Sequence, residues 1–257
     1  MNAVRELVKT VVVVPTYNER DNLPPLVEAL LELPVGGLHV VIVDDNSPDG
    51  TGRIADELAE RSAGRVRVLH RSRPQGLGVA YRVGFSYALS TGADVVIQMD
   101  ADLSHPTSVI PTMIEALGRD GIGLVIGSRY VPGGATATDW PWRRRQLSVW
   151  ANRYVNAILR LGVRDATAGF KAWTATTLHE IDFGTTDSSG YSFQVEMNHR
   201  TRQLGIGITE VPIVFSERAA GASKMSWRVQ LESAAVPWRL RTRRSDQVAV
   251  RRYAEAR

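Results

Sequence analysis

Two hydrophobic patterns alternate along the first half of the chain. Short β-branched runs are separated by longer stretches in which apolar residues recur three and four positions apart. The short runs predict five strands, at Thr10–Val14, His39–Val43, Val66–Leu69, Asp94–Met99 and Gly121–Ile126. The longer stretches predict helices at Arg20–Leu33, from Asp49 or Thr51 to Ala63, at Gly76–Ser90 and at Pro106–Leu117. This alternation predicts an α/β fold, a mostly parallel sheet with helices on both faces.

The second half of the chain is less regular. It contains a Gly/Thr-rich segment, an amphipathic helix, a late strand, a polar loop and a second amphipathic stretch interrupted by Pro237. In that order, these are Tyr130–Asp139, Arg145–Leu161, Gly207–Phe215, Ser216–Lys224 and Met225–Leu240. We expect the Gly/Thr-rich segment to act as a mobile lid. No linker-like composition separates the halves, so residues 1–257 are predicted to form a single domain.

Composition narrows the classes of protein that remain. The chain is 44% hydrophobic and 23% charged, which is ordinary for a globular domain. It has no cysteine, which excludes disulfides, iron–sulfur clusters, thiolate zinc sites and a cysteine nucleophile. The short N-terminus of mixed charge predicts no secretory signal. Apolar runs such as Val11–Val14 are far shorter than the roughly 20 residues that cross a bilayer, so no transmembrane helix is expected.

Positive charge is concentrated in two stretches, although the net charge is only +4. Five arginines and no acid lie within Trp142–Arg160, and five more arginines lie within Ser226–Arg244 against Glu232 alone. Such stretches suggest an anionic partner, whether nucleic acid, a membrane surface or a phosphorylated substrate. Trp142 and Trp150 could anchor the first stretch at a lipid interface. The alternatives are a solvated basic face and a nonenzymatic nucleic-acid-binding protein, which would leave the acidic strand ends unexplained.

Acidic side chains gather where the predicted strands end, which is where ligands bind in open α/β sheets. Asp100 and Asp102 follow a buried strand, and two carboxylates at this spacing can face one Mg²⁺ or Mn²⁺ ion. An isolated Asp-x-Asp pair is more often solvated, but its position here favours a function. In residues 44–51, Asp49 and Thr51 are expected to form a turn and helix cap, while Asp45 faces the ligand.

Seven segments, in order, resemble a known family. They are PTYNE at 15–19, VDDNSPDGT at 43–51, DADLSHP at 100–106, GSRY at 127–130, RRQLS with AN at 144–148 and 151–152, DATAGF at 165–170 and RAAGASK at 218–224. They are similar to family 2 glycosyltransferases of the GT-A fold. More narrowly, they resemble the dolichyl- or polyprenyl-phosphate mannose synthases that lack a transmembrane domain. The resemblance covers roughly residues 8–230.

The resemblance implies a reaction, a cofactor and a location. Mannose would move from GDP-mannose to a polyprenyl phosphate with inversion, giving the β-mannosyl phosphate and GDP, with Mg²⁺ or Mn²⁺ as cofactor. The enzyme would be cytoplasmic and peripheral at the inner face of an anionic membrane. A separate membrane-anchoring protein is a candidate partner, and nucleic acid is not expected to be one. Residues 8–128 would form the half that binds the nucleotide sugar, residues 129–244 the acceptor and membrane half, and residues 245–257 a tail.

The resemblance also implies residue roles. The residues that would hold guanosine are Pro15, Tyr17, Glu19, Val43 and Asp45. Asp100 and Ala101 would line the diphosphate–sugar site, and the metal would be bound by Asp102 and by Ser104, which stands in place of the family's glutamine. The phosphates would be neutralised by Arg129, Arg218 and Lys224, and the lipid phosphate would be received by Arg144 and Ser148. Asp100, Asp102 and Arg129 form the candidate catalytic set. Ala168 and Lys171 stand where the family pattern has serine and arginine.

The chemistry of the acceptor bears on these roles. A phosphate monoester is largely anionic at neutral pH, so it needs no general base, and Asp100 is not assigned that role. The same fold using UDP-glucose or another sugar nucleotide remains an alternative, as does a scaffold protein without activity. The histidines have no zinc-site spacing, and His70, His105 and His199 are expected to be structural.

Overall fold

The computed structural model describes residues 8–137, 141–186, 188, 190–216 and 234–242, without the side chains of Arg144 and Tyr191. Nine strands are described: β1 Thr10–Thr16, β2 Leu38–Asp44, β3 Val66–His70, β4 Val95–Gln98, β5 Ile122–Ser128, β6 Ala135–Thr136, β7 Lys171–Thr174, β8 Gly207–Pro212 and β9 Val214–Phe215. The helices are α1 Leu23–Leu31, α2 Thr51–Arg61, α3 Leu77–Ser90, α4 Ile110–Leu117, α5 Trp142–Leu159, α6 Ala175–Glu180, α7 Tyr191–Gln203 and α8 at residues 234–242, with 3₁₀ turns at Thr107–Val109 and Phe183–Thr185.

Seven strands form one sheet in the order β3-β2-β1-β4-β7-β5-β8. Its pairs are parallel except those of β7, which runs antiparallel to both β4 and β5. The predicted α/β class with a mostly parallel sheet is therefore confirmed. Because β4 and β5 both run against β7, their carboxyl ends lie at the same edge of the sheet.

The β-branched run of β1 separates two hydrophobic cores. Val11 and Val13 face one core and Val12 and Val14 the other, as the two-residue period of a strand requires. Helix α3 lies unusually close to the face of β1 that carries Val11 and Val13. A Cβ atom added to Gly84 would come within 2.2 Å of Val13 Cγ1, so only glycine fits there. This close packing places the start of α3 beside the end of β4.

The second half of the chain corrects several predicted boundaries. Helix α5 begins at Trp142, and its predicted apolar side is buried at Val155 and Ile158 but exposed at Leu147 and Trp150. The late strand is divided into β8 and β9. Strand β9 pairs in parallel with β6, so the segment predicted as a lid contains a short strand. Most of the predicted polar loop Ser216–Lys224 and the first part of Met225–Leu240 lie outside the described residues.

Three further elements of the described chain had no prediction. Strand β7 is four residues long and begins with a lysine, so it lacks the apolar signal of the other strands. Helix α6 has only six residues. Helix α7 was missed because it is buried on nearly every side and mixes polar with apolar residues, so it has no apolar stripe: Gln194, Glu196, Asn198 and Thr201 are buried together with Phe193, Val195 and Met197. Hydrophobic periodicity cannot detect such a helix.

Candidate active site

The loops that follow β1 and β2 are joined through Asp44. The Thr16 hydroxyl donates to Asp44 Oδ1 over 3.0 Å, and the Ser47 backbone N–H donates to Oδ2 over 3.1 Å. The Glu19 backbone N–H donates to Thr51 Oγ1 over 2.9 Å, and Asn22 Nδ2 donates to Glu19 Oε2 over 2.8 Å. The two loops therefore form one rigid edge. The residues predicted to hold the nucleoside lie on or beside this edge: Pro15, Tyr17, Glu19, Val43 and Asp45.

Asp45 is held by a residue that sequence reasoning missed. Its carboxylate accepts a hydrogen bond from Arg71 Nη1, and Arg71 Nη2 donates to Gln75 Oε1 over 2.8 Å. Burial raises the pKa of Asp45, and the Arg71 charge opposes that shift. Arg71 lies in a polar segment before α3, where the sequence carries no signal for it. The side chain of Val43 is fully buried in the core, so a nucleoside contact there would come from its backbone.

Asp100, Ala101 and Asp102 lie just beyond the end of β4. Asp102 is 4% exposed, and its Oδ1 accepts bonds from the Ser104 hydroxyl at 2.5 Å and the Ser104 backbone N–H at 3.2 Å. Ser104 thus orients the Asp102 carboxylate, and its predicted role as a metal ligand stays a prediction. The polar turn 102–104 is closed by Leu103 at a φ of +60°.

Asp100 has contacts on several sides. Its Oδ1 accepts a hydrogen bond from the Tyr81 hydroxyl over 2.9 Å, and its backbone N–H donates to His105 Nδ1 over 3.3 Å. Burial and the charge of Asp100 raise the pKa of Tyr81 well above its ordinary value, so Tyr81 remains a donor. A Cβ atom added to Gly169 would lie 3.3 Å from Asp100 Oδ2. Sequence reasoning missed Tyr81 because a tyrosine at core spacing in a helix reads as packing.

His105 supports the backbone at Asp100. Its ring stacks on Phe170 with centroids 5.1 Å apart, and the edge of Phe215 lies 5.6 Å away. Burial lowers the pKa of His105, although Asp100 and Asp102 oppose that shift. A neutral ring with Nδ1 as acceptor fits the bond from Asp100. His105 was expected to be structural, and its contacts place that structural role at the site itself.

Arg129, at the end of β5, forms a two-pronged ion pair with Asp165. Its Nε donates to Asp165 Oδ2 and its Nη2 to Oδ1, each over 2.7 Å. The Asp165 side chain is 0% exposed, and the Arg129 side chain is 11% exposed. The loop that carries Asp165 is fixed by Glu210, whose carboxylate accepts hydrogen bonds from the backbone N–H groups of Arg164 and Asp165. Arg129 is therefore held rigidly at the same edge as Asp100 and Asp102.

The acceptor-side residues continue from this ion pair. Arg129 Nη2 also donates to Thr167 Oγ1, and the Thr167 backbone N–H donates to Asn152 Oδ1 on α5. Ser148, on the same helix, accepts a hydrogen bond from the Tyr130 hydroxyl over 2.7 Å. The structure thus connects Ser148 with Arg129. The side chain of Arg144 and all of Arg218 and Lys224 lie outside the described residues.

The donor set at this edge fits a hard divalent cation bound together with a substrate. Asp100 and Asp102 supply carboxylate oxygens, the ligand type that Mg²⁺ and Mn²⁺ prefer. Within the described ranges, no group of three or more His, Asp or Glu side chains is placed to hold a metal ion by itself. Mg²⁺ is usually bound by one or two carboxylates plus substrate phosphates and water, and the pair of aspartates is compatible with that mode of binding.

Lys171, the first residue of β7, is a fully buried amine behind this edge. Its Nζ donates to the Gln194 backbone carbonyl over 2.9 Å and lies 5.6 Å from the centre of the Trp173 ring. Burial lowers the pKa of Lys171 well below its ordinary value, and the charge of Asp165 opposes this shift only in part. Holding this amine in the core therefore favours the neutral form.

The buried amine predicts a particular dependence of stability on pH. Between the lowered pKa of the folded state and the ordinary pKa of the unfolded state, the unfolded chain binds more protons, so the free energy of unfolding rises with pH. From pH 6 to 9.5, the free energy of unfolding should therefore rise more steeply with pH in the wild type than in Lys171→Met, which has no titrating amine. Urea denaturation at both pH values measures this. Parallel curves for the two proteins would contradict the prediction.

The α/β sheet, with an Asp-x-Asp pair and a mostly buried arginine at its carboxyl edge, has the architecture of the GT-A glycosyltransferases. Residues 11–181 match the family described as "Glycosyl transferase family 2". The chain belongs to this family, as the sequence resemblance implied.

Similar proteins include two curated relatives. The chain is 46% identical over 223 residues to polyprenol monophosphomannose synthase of Mycolicibacterium smegmatis, covering 87% of this chain and 83% of that protein. It is 45% identical over 218 residues to undecaprenyl-phosphate mannosyltransferase of Micrococcus luteus, covering 85% and 88%.

A solved structure supports the fold. Glucosyl-3-phosphoglycerate synthase of Mycobacterium tuberculosis, in complex with Mn²⁺, UDP-glucose and phosphoglyceric acid, superposes with a TM-score of 0.69 at 18% identity. The match covers 91% of this chain and 80% of that one. At this level of identity the similarity establishes the fold alone.

Proposed function

We propose that this glycosyltransferase moves mannose from GDP-mannose to the phosphate of a polyprenyl phosphate. One observation supports the proposal most strongly. This chain is 46% identical to a polyprenol monophosphomannose synthase, and its Asp100, Asp102 and Arg129 lie together at one edge of the sheet. The two relatives are named for mannose transfer and for polyprenol or undecaprenyl phosphate. The two alignments cover 87% and 85% of this chain, so the similarity extends over the predicted acceptor half as well as the half that binds the nucleotide sugar.

The residues at this edge would have different roles in the reaction. Asp102, whose carboxylate accepts two bonds from Ser104, and Asp100 would hold a Mg²⁺ or Mn²⁺ ion that neutralises the charge developing on the leaving diphosphate. Arg129 lies at the same edge and adds a fixed positive charge. Tyr17, Glu19 and Asp45 would orient the nucleoside. Arg218 and Lys224 remain proposed phosphate contacts.

The acceptor explains why no base is assigned. A phosphate oxygen that is already anionic attacks the anomeric carbon directly, the bond to the nucleoside diphosphate breaks, and the configuration inverts. Asp100 accepts the Tyr81 hydrogen bond and is assigned to binding. Ser148 and Arg144 on α5 would receive the lipid phosphate next to Arg129.

Parallel assays test the donor and the acceptor together. The purified protein is incubated with a short polyprenyl phosphate, Mg²⁺ or Mn²⁺, and either GDP-mannose or UDP-glucose, and sugar in the organic phase is counted. Transfer from GDP-mannose that EDTA abolishes is the expected result. Transfer from UDP-glucose alone would overturn the donor assignment and retain the reaction class. Transfer from neither would overturn the proposed function.

The lipid acceptor makes an anionic membrane the expected binding surface. Four large apolar side chains are exposed on two neighbouring helices and define what we term the α5–α8 surface: Trp142, Leu147, Trp150 and Trp238. Tyr154 joins the helices, because its hydroxyl accepts a bond from Trp238 Nε1 over 3.0 Å and its ring stacks on Trp150. Arg143, Arg145 and Arg153 lie on α5. Tryptophan beside arginine is typical of a helix that lies at an anionic interface.

No helix in the described part of the chain is both long and apolar enough to cross a membrane. The exposed tryptophans and the arginines of α5 are the basis on which we propose peripheral attachment through the α5–α8 surface, at the cytoplasmic face. Vesicle binding by the isolated chain also tests whether a separate anchoring protein is required.

Replacing Trp142, Trp150 and Trp238 with serine should weaken sedimentation with anionic vesicles by at least about tenfold, because each exposed ring loses an apolar contact with lipid. The matched control is Val83→Ser with Val214→Ser, since these exposed apolar side chains lie outside the α5–α8 surface. Equal binding by the two variants would contradict this surface. Tight binding of the wild type to single-stranded DNA at moderate salt would instead favour the nucleic-acid alternative.

A further inference from the structure

The hydroxyl of Tyr81 is a polar group placed behind the candidate site, in the core. Tyr81 lies on α3 and its side chain is fully buried, so it cannot touch a bound substrate. Its ring is parallel to that of Phe193, with centroids 6.0 Å apart, and stacks against Phe85 at 5.7 Å. These contacts fix the ring, and its hydroxyl then reaches Asp100 Oδ1 at 2.9 Å.

Asp100 is the more exposed of the two aspartates and therefore the one that needs an external restraint. Asp102 is buried and receives two bonds from Ser104 within its own turn. The side chain of Asp100 receives its hydrogen bond from a different element, α3, nineteen residues away in sequence. The space beside Asp100 Oδ2 is left open by Gly169. One oxygen is thus restrained from the core, and the other faces a glycine at the edge of the sheet.

We propose that Tyr81 is a positioning residue that holds the Asp100 carboxylate in the orientation used for metal–diphosphate binding and transfer. This inference rests on the proposed function of the site. A carboxylate that must meet a cation and a diphosphate within a few tenths of an ångström loses efficiency when its rotamer is unrestrained. The buried aromatic stack supplies rigidity that an exposed hydrogen-bond donor would lack.

Two glycines on α3 allow the Tyr81 hydroxyl to reach Asp100. Gly84, one turn after Tyr81, lets α3 approach β1 so closely that a methyl group would collide with Val13. Gly78, one turn before, lies where a Cβ atom would be 3.2 Å from the Phe193 ring. Small residues on both sides of Tyr81 therefore allow the helix to sit deep enough for the hydroxyl to reach the end of β4.

Tyr81→Phe tests the proposal because it removes the hydroxyl and keeps the ring. We expect kcat to fall about 10- to 50-fold, with the KM for the sugar nucleotide changed by less than about threefold. The melting temperature should fall by only a few degrees, as for the loss of one buried hydrogen bond. The matched control is Tyr87→Phe on the same helix, which should keep wild-type kcat. A kcat for Tyr81→Phe within twofold of that control would overturn the proposal.

A double-variant cycle separates positioning from general stabilisation. If Tyr81 acts through Asp100, adding Tyr81→Phe to Asp100→Asn should cause little further loss of kcat beyond that of Asp100→Asn alone. Losses that multiply independently would overturn the proposal. Each comparison uses whichever sugar nucleotide the wild type turns over. If the wild type turns over none, loss of Mn²⁺ affinity in Tyr81→Phe relative to Tyr87→Phe, measured by titration with UDP or GDP present, supports the proposal, and equal affinity overturns it.

Discussion

Asp102→Asn should lower transfer about a thousandfold while leaving the fold intact. Asparagine has nearly the same size and can still accept the hydrogen bonds from Ser104, which keeps the turn 102–104 closed. It lacks the negative charge that attracts a divalent cation to the diphosphate. Removing electrostatic stabilisation of a leaving group typically costs about 10²- to 10³-fold in rate. Initial rates with GDP-mannose at saturating Mg²⁺, with circular dichroism and thermal melting in parallel, measure both parts of the prediction.

Asp56→Asn is the matched control for this substitution. Asp56 is an exposed acid on α2 that pairs with His70, away from the end of β4. It should keep wild-type transfer, because its carboxylate is solvated and its pairing contributes little. If Asp102→Asn retained more than a tenth of wild-type activity, the aspartate would not be a metal-binding residue, and the scaffold alternative would gain support.

Arg129→Gln should damage both stability and activity, for different reasons. Asp165 is fully buried, and without Arg129 its charge is left unpaired in the core. Breaking a buried ion pair by removing one partner costs about 3–5 kcal/mol of unfolding free energy. Loss of the positive charge at the edge of the sheet should also lower kcat by about 10²-fold or more. Urea denaturation and initial rates below the unfolding midpoint measure the two effects separately.

The double variant Arg129→Gln/Asp165→Asn distinguishes these effects. Asparagine removes the unpaired charge, so much of the lost unfolding free energy should return. Transfer should stay low, because the positive charge is still missing. Recovery of transfer together with stability would show that Arg129 only supports the fold, which would remove it from the proposed catalytic set.

The strand–helix alternation from β1 to β5 could be predicted because each element has a simple hydrophobic period. The runs Thr10–Val14 and His39–Val43 lie within the observed β1 and β2, and the acidic ends of the strands fall on one edge, as the rule for parallel sheets requires. The ordered motifs also identified the family, which the comparisons confirm.

The supporting contacts of the candidate site could not be predicted in this way. Arg71, Tyr81 and Asp165 are brought to Asp45, Asp100 and Arg129 by packing between separate elements. Asp165 stands in a recognised motif, but neither its burial nor its partner can be read from spacing. Strand β7 and helix α7 escaped detection because a buried lysine in the one and buried polar residues among the apolar ones in the other break the hydrophobic period.

The sequence by itself determined five strands of the sheet, the order of the elements in the first half and the acidic edge, because these follow from local periodicity and from the positions of strand ends. The tertiary structure alone decided how each functional side chain is oriented. Burial lowers the pKa of Lys171, and the ion pair with buried Asp165 gives Arg129 its rigid geometry. Both effects depend on residues distant in sequence that only folding brings into contact.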